Sequence, residues 1–132
     1  MKPICEVNSI GDESWFMNNL LHRVDGPAAI YANGTKRWFI NGLCHREDGP
    51  AVECANGDKE WYLNGLRHRV DGPAVEYVDG TKKWFYHGYL HRADGPAIEL
   101  YNGSKLWYYH DKYINCKDNQ EFLRIVKLIV FL

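Results

Sequence analysis

The sequence predicts an all-β repeat fold, an antiparallel β-hairpin meander or solenoid with a short C-terminal capping helix, and three observations carry that expectation. Trp15, Trp38, Trp61, Trp84 and Trp107 stand 23 residues apart, and so do Gly11, Gly34, Gly57, Gly80 and Gly103. Four copies of His-Arg-x-Asp-Gly-Pro-Ala begin at His22, His45, His68 and His91, again 23 apart. After residue 117 the period gives way to a helical pattern. A recurrence this short marks a repeat architecture, in which each unit buries its apolar face against its neighbours. The chain divides into a five-unit repeat domain, residues 1–117, and a C-terminal capping or oligomerisation helix, residues 118–132.

Taken in order, residues 4–7 read as a short strand, 8–12 as a turn and 14–17 as the first Trp strand. This opening unit is degenerate: Asn18-Asn19 stands where later units have Asn-Gly or His-Gly, and the strand before it lacks Pro-Ala. A terminal repeat has this character when its outer side faces water. In a regular unit, residues 36–40 form a strand with Lys36, Trp38 and Ile40 on one side and Arg37 and Phe39 on the other. Asn41-Gly42 ends it, because both residues tolerate positive φ. Residues 43–49 form a connection carrying His45, Arg46 and Asp48. Pro50, lacking an N–H, opens the second strand, 51–55, and Asn56-Gly57 turns the chain into the next unit. About ten strands result, and so long an open sheet must twist.

The columns Ala29, Val52, Val75, Ile98 and Tyr31, Cys54, Tyr77, Leu100 are apolar, while Glu53, Glu76 and Glu99 alternate with them. The expectation is that the apolar columns share a concave buried face with the tryptophans. Phe16, Phe39, Tyr62, Phe85 and Tyr108 then share the other face with Arg37, Lys83 and the glutamates. At the C-terminal end, Asp118 followed by Glu121 resembles a capping box. Phe122, Leu123, Ile125, Val126, Leu128, Ile129 and Leu132 form an apolar stripe, so residues 118–130 read as a helix that covers the last repeat.

Sixteen Lys plus Arg against seventeen Asp plus Glu give a net charge of -1, which disfavours nucleic acid. The helix carries two cations on its polar face, too few for strong attachment to a membrane surface. Cys5, Cys44, Cys54 and Cys116 occupy no shared repeat position and have no CxxC spacing, so they read as free thiols of a reducing, cytoplasmic setting. Residues 1–10 do not read as a signal peptide.

The recurring His, Arg and Asp raise the question of catalysis or metal binding. Adjacent strands lie about 4.8 Å apart, so equivalent residues of neighbouring two-strand units lie roughly 9.6 Å apart, too far to share one zinc ion. A catalytic centre also combines different residues in one unique pocket. The chain is therefore expected not to be an enzyme and to need no cofactor or metal. Arg46 is expected to hold Asp48 or the Asp of the adjacent loop, and His45 to hydrogen-bond backbone in the bend. The alternative is a ladder of Arg23, Arg46, Arg69 and Arg92 that reads an anion, such as a nucleotide or phospholipid headgroup.

From Trp61-Tyr-Leu-Asn-Gly-Leu-Arg-His to Asp79-Gly80 the unit resembles the MORN (membrane occupation and recognition nexus) repeat, in its divergent variants. The resemblance covers residues 15–111 and departs from the standard pattern at Arg69 and at Asp71-Gly72-Pro73-Ala74. It implies a non-enzymatic module that scaffolds proteins; phospholipid binding does not carry over residue by residue. Loops of the HRxDGPA type also resemble those of viral and bacterial proteins, which implies a microbial origin. The expected function is a scaffold that binds a protein partner, and masks or inhibits it, through Phe39, Tyr62, Phe85, Tyr108, Arg37 and Lys83 or through the loop rim. A second copy of the chain, meeting the helix or an open sheet edge, is a further expected partner.

Overall fold

The structure is a computed structural model that describes residues 2–131; Leu132, counted in the apolar stripe, lies outside the described residues. It is a meander of antiparallel strands from Ile4–Val7 to Lys112–Ile114, followed by one helix, Asn119–Val130. Most strands pair with the next in one sheet of 12 strands, and three two-stranded ribbons branch from it.

The ribbons correct the expected unit. The strand expected over residues 36–40 is broken at Trp38: Lys36–Arg37 belongs to the main sheet, whereas Phe39–Ile40 pairs with Leu43–Cys44 in a separate ribbon. Residues 43 and 44, expected to begin a connection, are thus the return arm of a hairpin. Trp38 bridges the two parts, its N–H donating to the Ala51 carbonyl at 2.8 Å and its carbonyl accepting from His45 N–H at 3.0 Å. The break repeats at Trp61 and Trp84. The second strand is also shorter than expected, Val52–Glu53 instead of residues 51–55.

Each ribbon is closed by two residues with positive φ, as at Asn41 (49°) and Gly42 (80°). This is the type I′ turn, whose twist matches that of paired strands. At the opposite side of the sheet, Gly57 N–H donates to the Cys54 carbonyl and Cys54 N–H to the Asp58 carbonyl. Gly57 has a φ of 102°, the conformation of a three-residue hairpin with a glycine bulge.

Strand register overturns the expected assignment of faces. Arg37 pairs with Val52 and Lys36 with Glu53, so Val52 shares a side with Arg37, and the glutamates share a side with Lys36 and Trp38. Arg46 confirms this by touching both Trp38 and Glu53. The tryptophans therefore accompany the glutamates and loop arginines. The phenylalanines and tyrosines accompany the valine column, as Arg67 shows by bonding Glu60 while its guanidinium carbon lies 5.9 Å from the Tyr62 ring and 5.4 Å from Phe85.

Burial along the sheet is thin. Ala28, Ala51, Ala74 and Ala97 are fully buried and Val52, Val75 and Ile98 nearly so, but the second apolar column, Tyr31, Cys54, Tyr77 and Leu100, is only half-buried. A larger cluster forms where the repeats end: fully buried Phe122 packs with Trp107 and Ile114, flanked by Tyr109, Ile125, Val126 and Ile129. Asp118 caps the helix by accepting from Glu121 N–H at 2.9 Å. The helix begins one residue later than expected because Asp118 itself is the cap, and it covers the final repeat as the apolar stripe implied.

Candidate functional site: the loop cages and the two faces

Every HRxDGPA loop folds its arginine back over the tryptophan of its own unit. The guanidinium carbons of Arg23, Arg46, Arg69 and Arg92 lie 3.9–4.0 Å from the ring centroids of Trp15, Trp38, Trp61 and Trp84. Arg69 Nε donates to Asp71 at 3.1 Å, and its Nη1 donates both to the Pro73 carbonyl at 3.0 Å and to Glu76 at 3.1 Å. Arg46 and Arg92 repeat all three bonds. Arg23 makes the first two, since Ile30 stands where later units have glutamate.

The glycine of the motif is there for space. A Cβ added to Gly72 would sit 2.9 Å from the Arg69 guanidinium carbon, and one on Gly95 2.8 Å from that of Arg92. A methyl group there would push the guanidinium off its tryptophan and its hydrogen-bond partners. Of the two partners expected for each arginine, the structure selects the aspartate of the same loop.

The histidines tie each unit to the next. Nδ1 of His22, His45, His68 and His91 accepts the backbone N–H of Asn41, Asn64, His87 and His110, 19 residues further on, at 2.8–3.0 Å. The acceptor role requires a neutral ring protonated at Nε2. The bond reaches the type I′ turn of the following unit, not the histidine's own bend. His87 and His110 also stack on His68 and His91, with centroids 4.2 and 4.1 Å apart. Burial, and then the facing second imidazole, holds His68 and His91 below the usual histidine range. On the far side of the sheet, Asp12, Thr35, Asp58 and Thr81 side chains accept backbone N–H groups 20 residues on, at 2.8–3.1 Å.

Phe39, Tyr62, Phe85 and Tyr108 are half-buried, Arg37 is exposed and Lys83 half-buried. Cations stand over rings on this face: Arg37 lies 5.7 Å from Tyr31 and Lys83 Nζ 5.5 Å from Tyr77. The Arg67–Glu60 pair, at 2.7 Å, was not among the sequence candidates, although opposite charges seven residues apart within one unit were its visible signal. Burial, and then the Glu60 carboxylate, pushes the Tyr62 hydroxyl above its ordinary range. Burial pushes the Cys44 thiol up to about 11, so it stays protonated and unreactive near neutrality. Among the described residues no three His, Cys, Asp or Glu side chains gather in a metal-binding arrangement. No helix among them is long and apolar enough to cross a membrane.

Fold and loops together define a repeated antiparallel β-hairpin array whose units are locked by arginine cages and histidine bonds. No known family's sequence profile matches the chain, and no curated protein matches it.

Proposed function

We propose that the protein is a non-enzymatic scaffold built of divergent MORN-type repeats and that it binds another protein. The observation that carries this reading is the single-layer sheet whose Phe39, Tyr62, Phe85 and Tyr108 stay half-exposed beside Arg37 and Lys83. Extended surfaces of rigid aromatics and cations are what such arrays offer a partner. The anion ladder is less well supported, because Nε and Nη1 of each loop arginine are already bonded within its own unit.

The test is affinity capture from the native organism with mass spectrometry, comparing the wild type with a Phe39→Ala, Tyr62→Ala, Phe85→Ala variant whose circular dichroism is unchanged. A protein retained by the first and lost by the second is expected. An enzymatic turnover abolished by changing one loop but not its three equivalents would refute the non-enzymatic reading.

A further inference from the structure

Three grooves open between successive HRxDGPA loops, on the tryptophan side of the sheet. The first includes Trp38 and Ile40 in its lining and measures about 750 Å³. The second includes Trp61 and Leu63 and measures about 680 Å³, and the third includes Trp84 and Tyr86 and measures about 830 Å³. Their walls are the arginines and aspartates of the two flanking loops. Equal numbers of the two would suggest neutrality, but the charges are not equally accessible. The arginine side chains are 22–24% exposed, pinned beneath their loops, whereas Asp25, Asp48, Asp71 and Asp94 are 86% exposed and Glu47 84%. Each aspartate gives Oδ1 to its arginine, and Oδ2 has no hydrogen bond within the described residues. An approaching partner therefore meets carboxylate oxygens above a slot of aromatic and aliphatic carbon.

The repeat also sets a ruler. Two strands per unit at about 4.8 Å place successive grooves roughly 9.6 Å apart. A polyproline II helix rises about 3.1 Å per residue with three residues per turn, so its equivalent side chains recur every ~9.3 Å on one face. A β-strand advances a similar ~10 Å in three residues, but its residues i and i+3 point to opposite sides. Of these two extended conformations, the polyproline II helix is the one that drops a side chain into every groove.

We propose that this row of grooves binds a basic polyproline II segment of a partner protein that carries arginine or lysine at every third position. Each cationic side chain lays its aliphatic stem along the Ile40, Leu63 or Tyr86 wall and brings its head to a free aspartate oxygen. The inference goes beyond the proposed scaffold role, because it assigns a second binding surface on the side of the sheet opposite Phe39 and Tyr62.

The probe is a fluorescent (Arg-Pro-Pro)4 peptide, with binding read by fluorescence anisotropy against (Arg-Pro-Pro-Pro)4 of equal charge and against flexible tetra-arginine. The period-three peptide is expected to bind about tenfold more tightly than either control, because only it engages all three grooves at once. Binding should weaken as salt rises. Asp48→Asn and Asp71→Asn keep the acceptor for arginine while removing the free charge, and each is expected to reduce affinity about two- to fivefold. Phe39→Ala with Tyr62→Ala should leave it unchanged. Equal binding of all three peptides, or none, overturns the proposal, as does binding indifferent to both aspartate variants. A native partner captured through Phe39 and Tyr62 while (Arg-Pro-Pro)4 fails to bind would sink the groove inference alone and leave the scaffold reading standing.

Discussion

Arg69→Lys keeps the charge and removes the fork, which makes it the sharpest probe of the loop cage. The wild-type guanidinium makes three hydrogen bonds and a stack on Trp61 at 3.9 Å. The bond to the carbonyl of buried Pro73 is a charge-assisted one, worth about 1.5 kcal/mol. Asp71 is 86% exposed and its pair with Arg69 is largely screened, so it adds less than about 1 kcal/mol. Glu76, with its side chain 35% exposed, adds about 1 kcal/mol, and the stack about 1 kcal/mol more. A lysine ammonium recovers one of these contacts, having neither the planar face nor several donors in a fixed fork. The expected net loss is about 2.5 kcal/mol, read from urea denaturation followed by tryptophan fluorescence. Arg23→Lys should cost about 1 kcal/mol less, because Ile30 offers no carboxylate to lose. Both variants within about 0.5 kcal/mol of the wild type would refute the cage as a source of stability. Equal losses would refute the share assigned to Glu76.

Gly72→Ala should destabilise by about 1–3 kcal/mol, since its Cβ would press on a pinned guanidinium 2.9 Å away. In an Arg69→Met background the same change should cost much less, a non-additivity that denaturation of the double mutant measures directly. Acidification should also weaken the fold. His68 and His91 have folded pKa values lowered by burial, so the unfolded chain binds more protons, and their stabilisation is present above about 6.5 and lost as pH falls through the folded values. Melting temperature should therefore fall between pH 7 and pH 5, and replacing both histidines with asparagine should flatten the contribution these two make. Phe122→Ala, at a fully buried position, should cost about 3–5 kcal/mol and uncover Trp107, seen as a red shift in tryptophan emission.

The 23-residue recurrence and its hairpin turns were legible because Asn and Gly tolerate the positive φ of tight turns, as at Asn41-Gly42 and Asn64-Gly65, and the spacing is regular. The capping helix was legible from Asp118, Glu121 and the stripe containing Phe122, local signals that need no knowledge of distant contacts. The break at Trp38 was not legible. Alternation of residues 36–40 fits one continuous strand, and only the competing partners of Trp38, Ala51 on one side and His45 on the other, divide it. The face assignment failed for the same reason: apolar columns were grouped by type, while sidedness depends on register, and Val52 opposite Arg37 is a tertiary fact. The arginine–aspartate pair was visible two residues apart, but the stack on a tryptophan eight residues earlier appears only once the ribbon folds. The histidine bonds reach 19 residues ahead, beyond any local motif.

Interlocking of each unit with its successor is the claim on which the rest stands, and amide hydrogen exchange measures it most directly. The backbone N–H groups of Asn41, Asn64, His87 and His110 sit in exposed turns yet donate to buried or half-buried histidine rings. Near neutral pH these four amides should be protected to the same degree as the strand amides around them. Exchange of all four at the rate of an open loop would contradict the account.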